Sequence, residues 1–405
     1  MRPMKADEQD VTQLVGRLIE DGVAAGASDI HFDPVEHGMI VRHRRDGLLY
    51  EVGRLDGTIK DNLVARLKVL ANLVVYRRNT PQEGRIVKDV PAARNDIEYR
   101  VATFPTIHGE KVVIRIFDSS KVLLDVHSLG FDADVTANIL RLLENPQGML
   151  LLTGPSSSGK TTTIYSALNW ITQHRRNIAN IITIEDPVEF DLKTISQTQI
   201  DPHGGLTFAS ALRSALRLDP EVLMIGEIRD PDTAQIATQA GLTGHLVIST
   251  IHCGTAAGVF TRLIEMGIEP FLIASSITGV LSQRLVRVLC NSCKAPSRAE
   301  PRVLDEFRLT GDEARAYFSP VGCARCNNTG YAGRTAIAEL LLVSERIRQL
   351  LLARATTNAI HDQAVSEKMV PLKTDGMRKA ARGVTSLEEL YRIMMHKVFK
   401  KNDTK

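Results

Sequence analysis

Aromatic residues are scarce in this sequence: they make up 5% of it, with a single tryptophan. That leaves few flat side chains on which the bases of a single strand would stack. Excess charge is missing too. Fifty Lys and Arg face 47 Asp and Glu, a formal net charge of +3, so composition supplies no surplus of cations for tracking a phosphate backbone. No apolar run approaches the roughly 20 residues that a membrane-crossing helix requires. The opening stretch, Met1 to Asp10, is charged and lacks the apolar core of a signal peptide. Together these absences predict a cytoplasmic protein without direct nucleic-acid binding. Cysteine is sparse as well: four of the five fall in two Cys-x-x-Cys pairs and only Cys253 stands alone, a usage that favours metal ligation over disulfides in a reducing compartment. Solenoid-like periods and low-complexity tracts are absent. What remains is an ordinary globular composition over 405 residues, long enough for two or three domains with their own cores.

The apolar positions Val11, Leu14, Val15, Leu18 and Ile19 recur at helical spacing and predict an amphipathic opening helix. Short alternating segments follow at Met39 to His43, Leu48 to Val52, Ile97 to Val101 and Lys111 to Phe117, separated by turn residues such as Asp46-Gly47 and His108-Gly109. These read as strands of a small α+β domain ending near residue 117. Within it, Asp61 to Leu73 has helical spacing and Arg77 to Gly84, with Pro81, reads as a loop. Residues 118–130 contain two adjacent serines and little periodicity, which suits a linker. Beyond it, strands at Met149 to Thr153, Ile181 to Ile184, Val222 to Ile225 and Leu246 to Thr250 alternate with helices at Thr161 to Ile171, Phe208 to Leu218 and Thr233 to Ala240. Such alternation predicts an α/β domain, 131–405, built on a mostly parallel sheet. From about residue 341 the chain reads helical to its Lys-rich end.

The run Gly154-Pro155-Ser156-Ser157-Ser158-Gly159-Lys160-Thr161 fits G-x-x-x-x-G-K-[ST], directly after an apolar strand and before a helix. A polyphosphate demands converging backbone N–H groups and a helix N-terminus, and bulky side chains would block that approach. Gly154 and Gly159 meet the need, Lys160 is placed to reach the β- and γ-phosphates, and the Thr161 hydroxyl, with Thr162 beside it, is placed to ligate Mg²⁺.

Hydrolysis also needs a carboxylate to orient or deprotonate water. Glu227 follows the apolar strand Val222 to Ile225, and the acidic cluster Glu185-Asp186-Pro187-Val188-Glu189 follows Ile181 to Ile184 in the same way. Both therefore belong at the carboxyl edge of the sheet, where α/β proteins bind ligands. His245 and His252 bracket a third apolar strand, and only His252 lies at the nucleotide edge.

These segments, with several others, resemble the secretion ATPases that power type II secretion and type IV pilus assembly. The resemblance rests on Ala27-Ser-Asp-Ile-His31, Arg42-His-Arg-Arg-Asp-Gly47, Pro81-Gln-Glu-Gly-Arg85, the phosphate loop, Glu185 to Glu189, Gly226-Glu-Ile-Arg-Asp230, Thr243 to His252 and Gln283-Arg-Leu-Val-Arg287. It implies a RecA-like P-loop ATPase domain preceded by a PAS-like α+β domain, and it makes Glu227 the catalytic base, with Glu185 and His252 in the catalytic set. A homohexamer is implied, with ATP at the junction of the two domains and Arg42 reaching the phosphates from the first. Arg213, Arg217, Arg229 and Arg334 match other arginines linked with catalysis or subunit coupling. Two departures stand out. Ser157 occupies a loop position where the family usually has Gly, and an L-residue disfavours positive φ there. The family's longer members also carry an additional amino-terminal docking domain, and this sequence begins too late to contain it.

Cys290-x-x-Cys293 and Cys323-x-x-Cys326, 29 residues apart, offer four thiolates to one tetrahedral Zn²⁺. With every ligand a cysteine, no coordination position stays open, so the ion is expected to be structural. This tetracysteine module, about 286–340, marks assembly and secretion members of the family. The expectation is a Mg²⁺-ATPase, peripheral to the inner membrane, acting on a membrane platform protein to drive out pilin or pseudopilin subunits. A related motor for retraction or DNA uptake stays open, as do a nucleic-acid translocase and a nucleotide-sensing scaffold that does not hydrolyse.

Overall fold

A computed structural model describes residues 8–86, 97–118, 124–175, 180–297, 299–310 and 317–395. The charged start up to residue 7, linker residues 119–123, residues 298 and 311–316 of the cysteine module and the Lys-rich end after 395 lie outside the described residues. The chain divides into two compact units, Met1–Val122 and Leu123–Lys405.

The first unit opens with α1 (Glu8–Ala24), whose Val11, Leu14, Val15 and Ile19 are all buried, as their spacing predicts. A meander of β1 (Asp29–Val35), β2 (Gly38–Arg45) and β3 (Leu48–Asp56) follows. Next come α2 (Gly57–Leu70), β4 (Gln82–Ile86), β5 (Ile97–Thr106) and β6 (Gly109–Asp118). The six strands form one antiparallel sheet in the order β3-β2-β1-β6-β5-β4. Strand alternation divides its chemistry between two faces. Ile30, Phe32, Met39, Val41, Val112 and Ile114 pack into a core with α1 and α2. On the other face Asp29 pairs with Arg44 and Arg115, and Asp33 with Arg42 and Lys111.

Two local expectations change here. Helix α2 begins at Gly57, four residues before the predicted Asp61, because the Asp56 carboxylate caps it by accepting the Thr58 N–H at 2.9 Å. The predicted loop Arg77 to Gly84 gives way to β4 immediately after Pro81. Its Gly84 is needed for packing: a Cβ there would stand 2.3 Å from the Ala71 carbonyl.

The second unit begins with a 3₁₀ turn, Val126–Leu129, then α3 (Ala133–Glu144), β7 (Gly148–Thr153), α4 (Lys160–His174), β8 (Ile181–Glu185) and β9 (Ser196–Gln199). It continues through α5 (Phe208–Ala215), β10 (Val222–Ile225), α6 (Pro231–Leu242), β11 (Leu246–Ile251), α7 (Gly258–Glu265), α8 (Pro270–Ser276) and β12 (Ile277–Leu289). After β13 (Ala295–Ser297), α9 (Pro301–Phe307), β14 (Tyr317–Ser319) and β15 (Tyr331–Leu342), four helices follow: α10 (Glu345–Leu352), α11 (Thr357–Ser366), α12 (Leu372–Ala381) and α13 (Leu387–Met395). Seven strands form a sheet in the order β15-β12-β7-β11-β10-β8-β9. Every neighbouring pair is parallel except β12 with β15.

All residues of β7, β8, β10 and β11 are buried, the pattern of strands covered on both faces. Met149 and Leu151 enter a core with α5 to α8, α10 and α11. Leu150 and Leu152, on the alternate face, meet α3 and α4. Val126 and Leu129, read from sequence as part of the connection, are buried in that second core. The cysteine module, expected over about 286–340, leaves the sheet only between Leu289 and Tyr331, because its flanks are the antiparallel pair β12 and β15. The fold class is therefore the predicted one: an α/β domain on a mostly parallel sheet, preceded by a smaller α+β domain.

Candidate nucleotide site and metal centre

At the carboxyl end of β7 the chain turns from Gly154 to Gly159 and enters α4. Gly154 has φ 145° and Gly159 φ 88°, values open to glycine and strained for L-residues. Ser157 nevertheless sits at φ 60°, so the loop keeps the left-handed turn that the sequence reading associated with glycine. Pro155, Ser156, Ser157 and Thr161 are exposed. The Lys160 ammonium donates to the Gly154 carbonyl at 2.9 Å and the Pro155 carbonyl at 3.0 Å. Burial pulls its pKa down and the charge of Glu227 opposes that pull. The Ser158 hydroxyl is buried without a hydrogen-bond partner among the described residues, and the Thr162 carbonyl accepts from Ser166 within α4. A strand, a glycine turn and an unobstructed helix start thus fit a polyphosphate, with Lys160 already curled over the loop.

The two carboxylates that looked alike in sequence differ in surroundings. Glu185 is 3% exposed. Tyr165 donates to its Oε2, while Thr183 at 2.5 Å and Gln197 at 3.0 Å donate to Oε1, so both oxygens are engaged. Burial and the Glu185 carboxylate raise the Tyr165 pKa, keeping it a donor. The Glu227 side chain is 15% exposed; Arg229 pairs with its Oε1, and His252 Nε2 stands 3.7 Å from its Oε2. The His252 side chain is 56% exposed. Their closeness follows from register: β10 and β11 are parallel neighbours, and the pairing of Ile225 with Ser249 brings Glu227 and His252 off the same end of the sheet. His245, at the other end of β11, contacts the Ala240 carbonyl at 3.1 Å and closes the end of α6.

Arg42 lies in the first unit, its guanidinium held by Asp33 at 2.6 Å. Arg213 reaches Asp232 at 3.7 Å, and Arg217 and Arg334 are exposed.

Two contacts to this region were not foreseen from sequence, although Gln283 heads one of the segments that carry the resemblance. Thr153, the last residue of β7, accepts from the Cys253 N–H at 2.9 Å and donates to the Cys253 carbonyl at 3.0 Å, which fixes the backbone next to His252. Gln283 of β12 reaches the phosphate loop. Both span 100 residues or more, so no local pattern announces them.

The four cysteine sulfurs lie within 4.8 Å of one another. Cys290 is 3.9 Å from Cys323, Cys293 is 3.8 Å from Cys326, and Cys323 is 3.7 Å from Cys326. A tetrahedron with metal–sulfur bonds of about 2.3 Å has edges of about 3.8 Å, whereas a disulfide would be about 2.05 Å. Backbone N–H groups point at the sulfurs: Gly322 at Cys293, and Cys323 and Gly330 at Cys326, at 3.2–3.3 Å. Burial pushes the Cys326 thiol up, but the Cys323 and Gly330 N–H groups and the neighbouring sulfurs bring it down, while burial and the sulfurs push Cys293 up. The donor set fits a tetrathiolate metal.

The sequence matches the family model described as type II/IV secretion system protein over residues 4–392. It is 44% identical over 387 residues to the type II secretion system ATPase E of Vibrio cholerae, covering 96% of this chain and 76% of that one. It is 42% identical over 388 residues to the type IV pilus assembly ATPase PilB of Myxococcus xanthus, covering 95% and 68%. Among solved structures, the Legionella pneumophila ATPase DotB superposes with a TM-score of 0.69 at 20% identity, covering 98% of both chains. The pilus retraction motor PilT with bound ADP gives 0.63 at 24% identity, covering 93% and 96%. These two likenesses speak to the fold. With the family model spanning nearly the whole sequence and relatives above 40% identity, the chain belongs to the type II/IV secretion system protein family, that of the secretion and pilus-assembly ATPases.

Proposed function

We propose that this chain is the ATP-hydrolysing motor of a type II secretion system or a type IV pilus assembly machine. The observation that carries the reading is the gathering of Lys160, Glu227 and His252 at one edge of a parallel sheet, with the phosphate loop opening there. ATP binds by its phosphates to the loop from Gly154 to Gly159. Lys160 exchanges the Gly154 and Pro155 carbonyls for β- and γ-oxygens. The Thr161 hydroxyl would hold Mg²⁺, which supplies charge neutralisation at those oxygens. Glu227 orients and deprotonates the attacking water, with His252 and Arg229 aligning its carboxylate. Glu185, with both oxygens engaged inside the fold, holds the β8 turn and leaves the base role to Glu227. The tetracysteine cluster holds one structural Zn²⁺.

The motor works as a homohexamer on an inner-membrane platform protein and drives pilin or pseudopilin subunits outward. Extrusion is favoured over retraction because the relatives above 40% identity are named for type II secretion and pilus assembly. Among the described residues no helix is long and apolar enough to cross a membrane; in this reading the chain meets the inner membrane through the platform protein. The deciding experiment is phosphate release from ATP and Mg²⁺ by purified protein, alone and on its platform protein, together with its mass in nucleotide analogue. Hydrolysis by a species near six chains supports the reading. Intact ATP under both conditions overturns it and leaves a nucleotide-sensing scaffold, and stimulation by single-stranded DNA would shift the assignment to a translocase.

A further inference from the structure

We propose that Gln283 is the positioning residue of the phosphate loop, the side chain that aims the loop's backbone N–H groups at a nucleotide. The proposal rests on the nucleotide reading of residues 154–161.

Gln283 lies on β12, the strand beside β7, and is 1% exposed. Its Nε2 donates to the Ser158 carbonyl at 2.8 Å, and its Oε1 accepts from the Thr163 hydroxyl at 3.0 Å. The amide therefore bridges the last turn of the loop and the first turn of α4. Its orientation is set by chemistry: a carbonyl can only accept, and the Thr163 hydroxyl is the donor that Oε1 needs. No flipped amide satisfies both partners.

The same residue gives a physical reason for both motif glycines. A Cβ on Gly154 would stand 2.3 Å from the Gln283 backbone carbonyl, and one on Gly159 would stand 3.2 Å from Gln283 Nε2. The loop thus packs directly on β12: a side chain at 154 would strike backbone and lift the loop off, and one at 159 would crowd Gln283 and Leu285.

The consequence for binding follows from peptide geometry. In a planar trans peptide the C=O and the next N–H point to opposite sides. Pinning the Ser158 carbonyl to Gln283 turns the Gly159 N–H away from β12, toward the side where phosphates approach. If the pin is removed, the peptide can rotate and present a carbonyl, a repulsive group, to the phosphate. Because Gln283 touches loop backbone and not the reacting atoms, it acts on nucleotide binding and little on the chemical step.

The test uses the full chain and compares Gln283→Met, Gln283→Glu and Thr163→Val. Met keeps the volume and loses both hydrogen bonds, and Glu keeps the acceptor for Thr163 while setting an oxygen against the Ser158 carbonyl. ADP Kd and ATP KM should rise about ten-fold for Met, since the bond that holds the Ser158 carbonyl is the one that orients the loop, and further for Glu. The kcat at saturating ATP should stay within about three-fold, and the thermal midpoint of Met should fall modestly, because the Ser158 carbonyl and the Thr163 hydroxyl lose a buried partner. Thr163→Val should weaken ADP in the same direction by a smaller factor. A packing role predicts Met equal to wild type, and a Met variant whose ADP Kd lies within two-fold of wild type overturns the proposal. Should the Gln283 variants fail to fold, an unchanged ADP Kd in Thr163→Val overturns it instead. Wild-type protein that binds no ADP would sink the nucleotide reading, a different failure from loss of binding in the variants alone.

Discussion

His252 Nε2 stands 3.7 Å from Oε2 of Glu227, two side chains delivered by neighbouring parallel strands to one edge of the sheet. The contact distinguishes Glu227 from Glu185, whose oxygens are used within the fold. Glu227→Gln preserves shape and removes the proposed base, so ATP turnover should fall by at least about a hundred-fold with ADP affinity within a few-fold of wild type. Phosphate release and equilibrium nucleotide binding measure the two. Equal loss of both would assign Glu227 to binding.

The sulfur spacing in the cysteine cluster predicts a bound metal. Elemental analysis of purified protein should find about one zinc per chain. Cys293→Ser or prolonged chelation should lower the thermal midpoint, since ligand binding and folding of such modules are coupled. Protein that is metal-free and equally stable would refute the assignment.

Ser157 is exposed and left-handed, at φ 60°, where an L-residue costs about 1 kcal/mol relative to glycine. Substitution should therefore order by backbone tolerance: Ser157→Gly should keep or raise stability, and Ser157→Val should lower it by about 1 kcal/mol or more. Denaturant midpoints decide the order, and a Val variant as stable as Gly would be incompatible with this turn.

Glu389 is fully buried between Arg287 and Arg392. Burial alone would raise its pKa, yet hydrogen bonds and charge from Arg392 and Arg287 hold it below the ordinary 4.5. A carboxyl depressed in the folded state stabilises the fold above its unfolded pKa, and that contribution is lost as pH falls below 4.5 through the folded value. Glu389→Gln should cost about 3 kcal/mol near neutral pH, because it strands buried arginine charge. The cost should shrink on acidification. Unfolding free energies of both proteins at pH 7 and pH 4 check the sign, and a pH-independent difference would contradict the ion-pair account.

Much of the candidate site is readable in sequence because its determinants are local. The phosphate loop is made by consecutive residues between a strand and a helix, and each Cys-x-x-Cys pair closes its own turn. Strands β7, β8, β10 and β11 stood out as short apolar runs, as both-face burial requires. Strand β4 was hidden because Pro81, just before it, and Gly84, within it, look like loop residues, and only packing shows that Gly84 is needed where the Ala71 carbonyl, just past α2, comes close. The boundary of the second unit moved for a similar reason: Val126 and Leu129 carry no periodicity, and their burial is decided by α4.

The class of fold and the membership in a family were readable from the sequence, and so were the candidate phosphate loop and the cysteine cluster, since each is written in spacing along the chain. Only packing gave Glu185 and Glu227 their different surroundings, set Gln283 against the loop and tied Glu389 to Arg287, through contacts that join residues 20 to 125 positions apart. The physical reason is that hydrogen-bond satisfaction and burial are properties of surroundings, and a residue's surroundings are assembled only when distant segments pack.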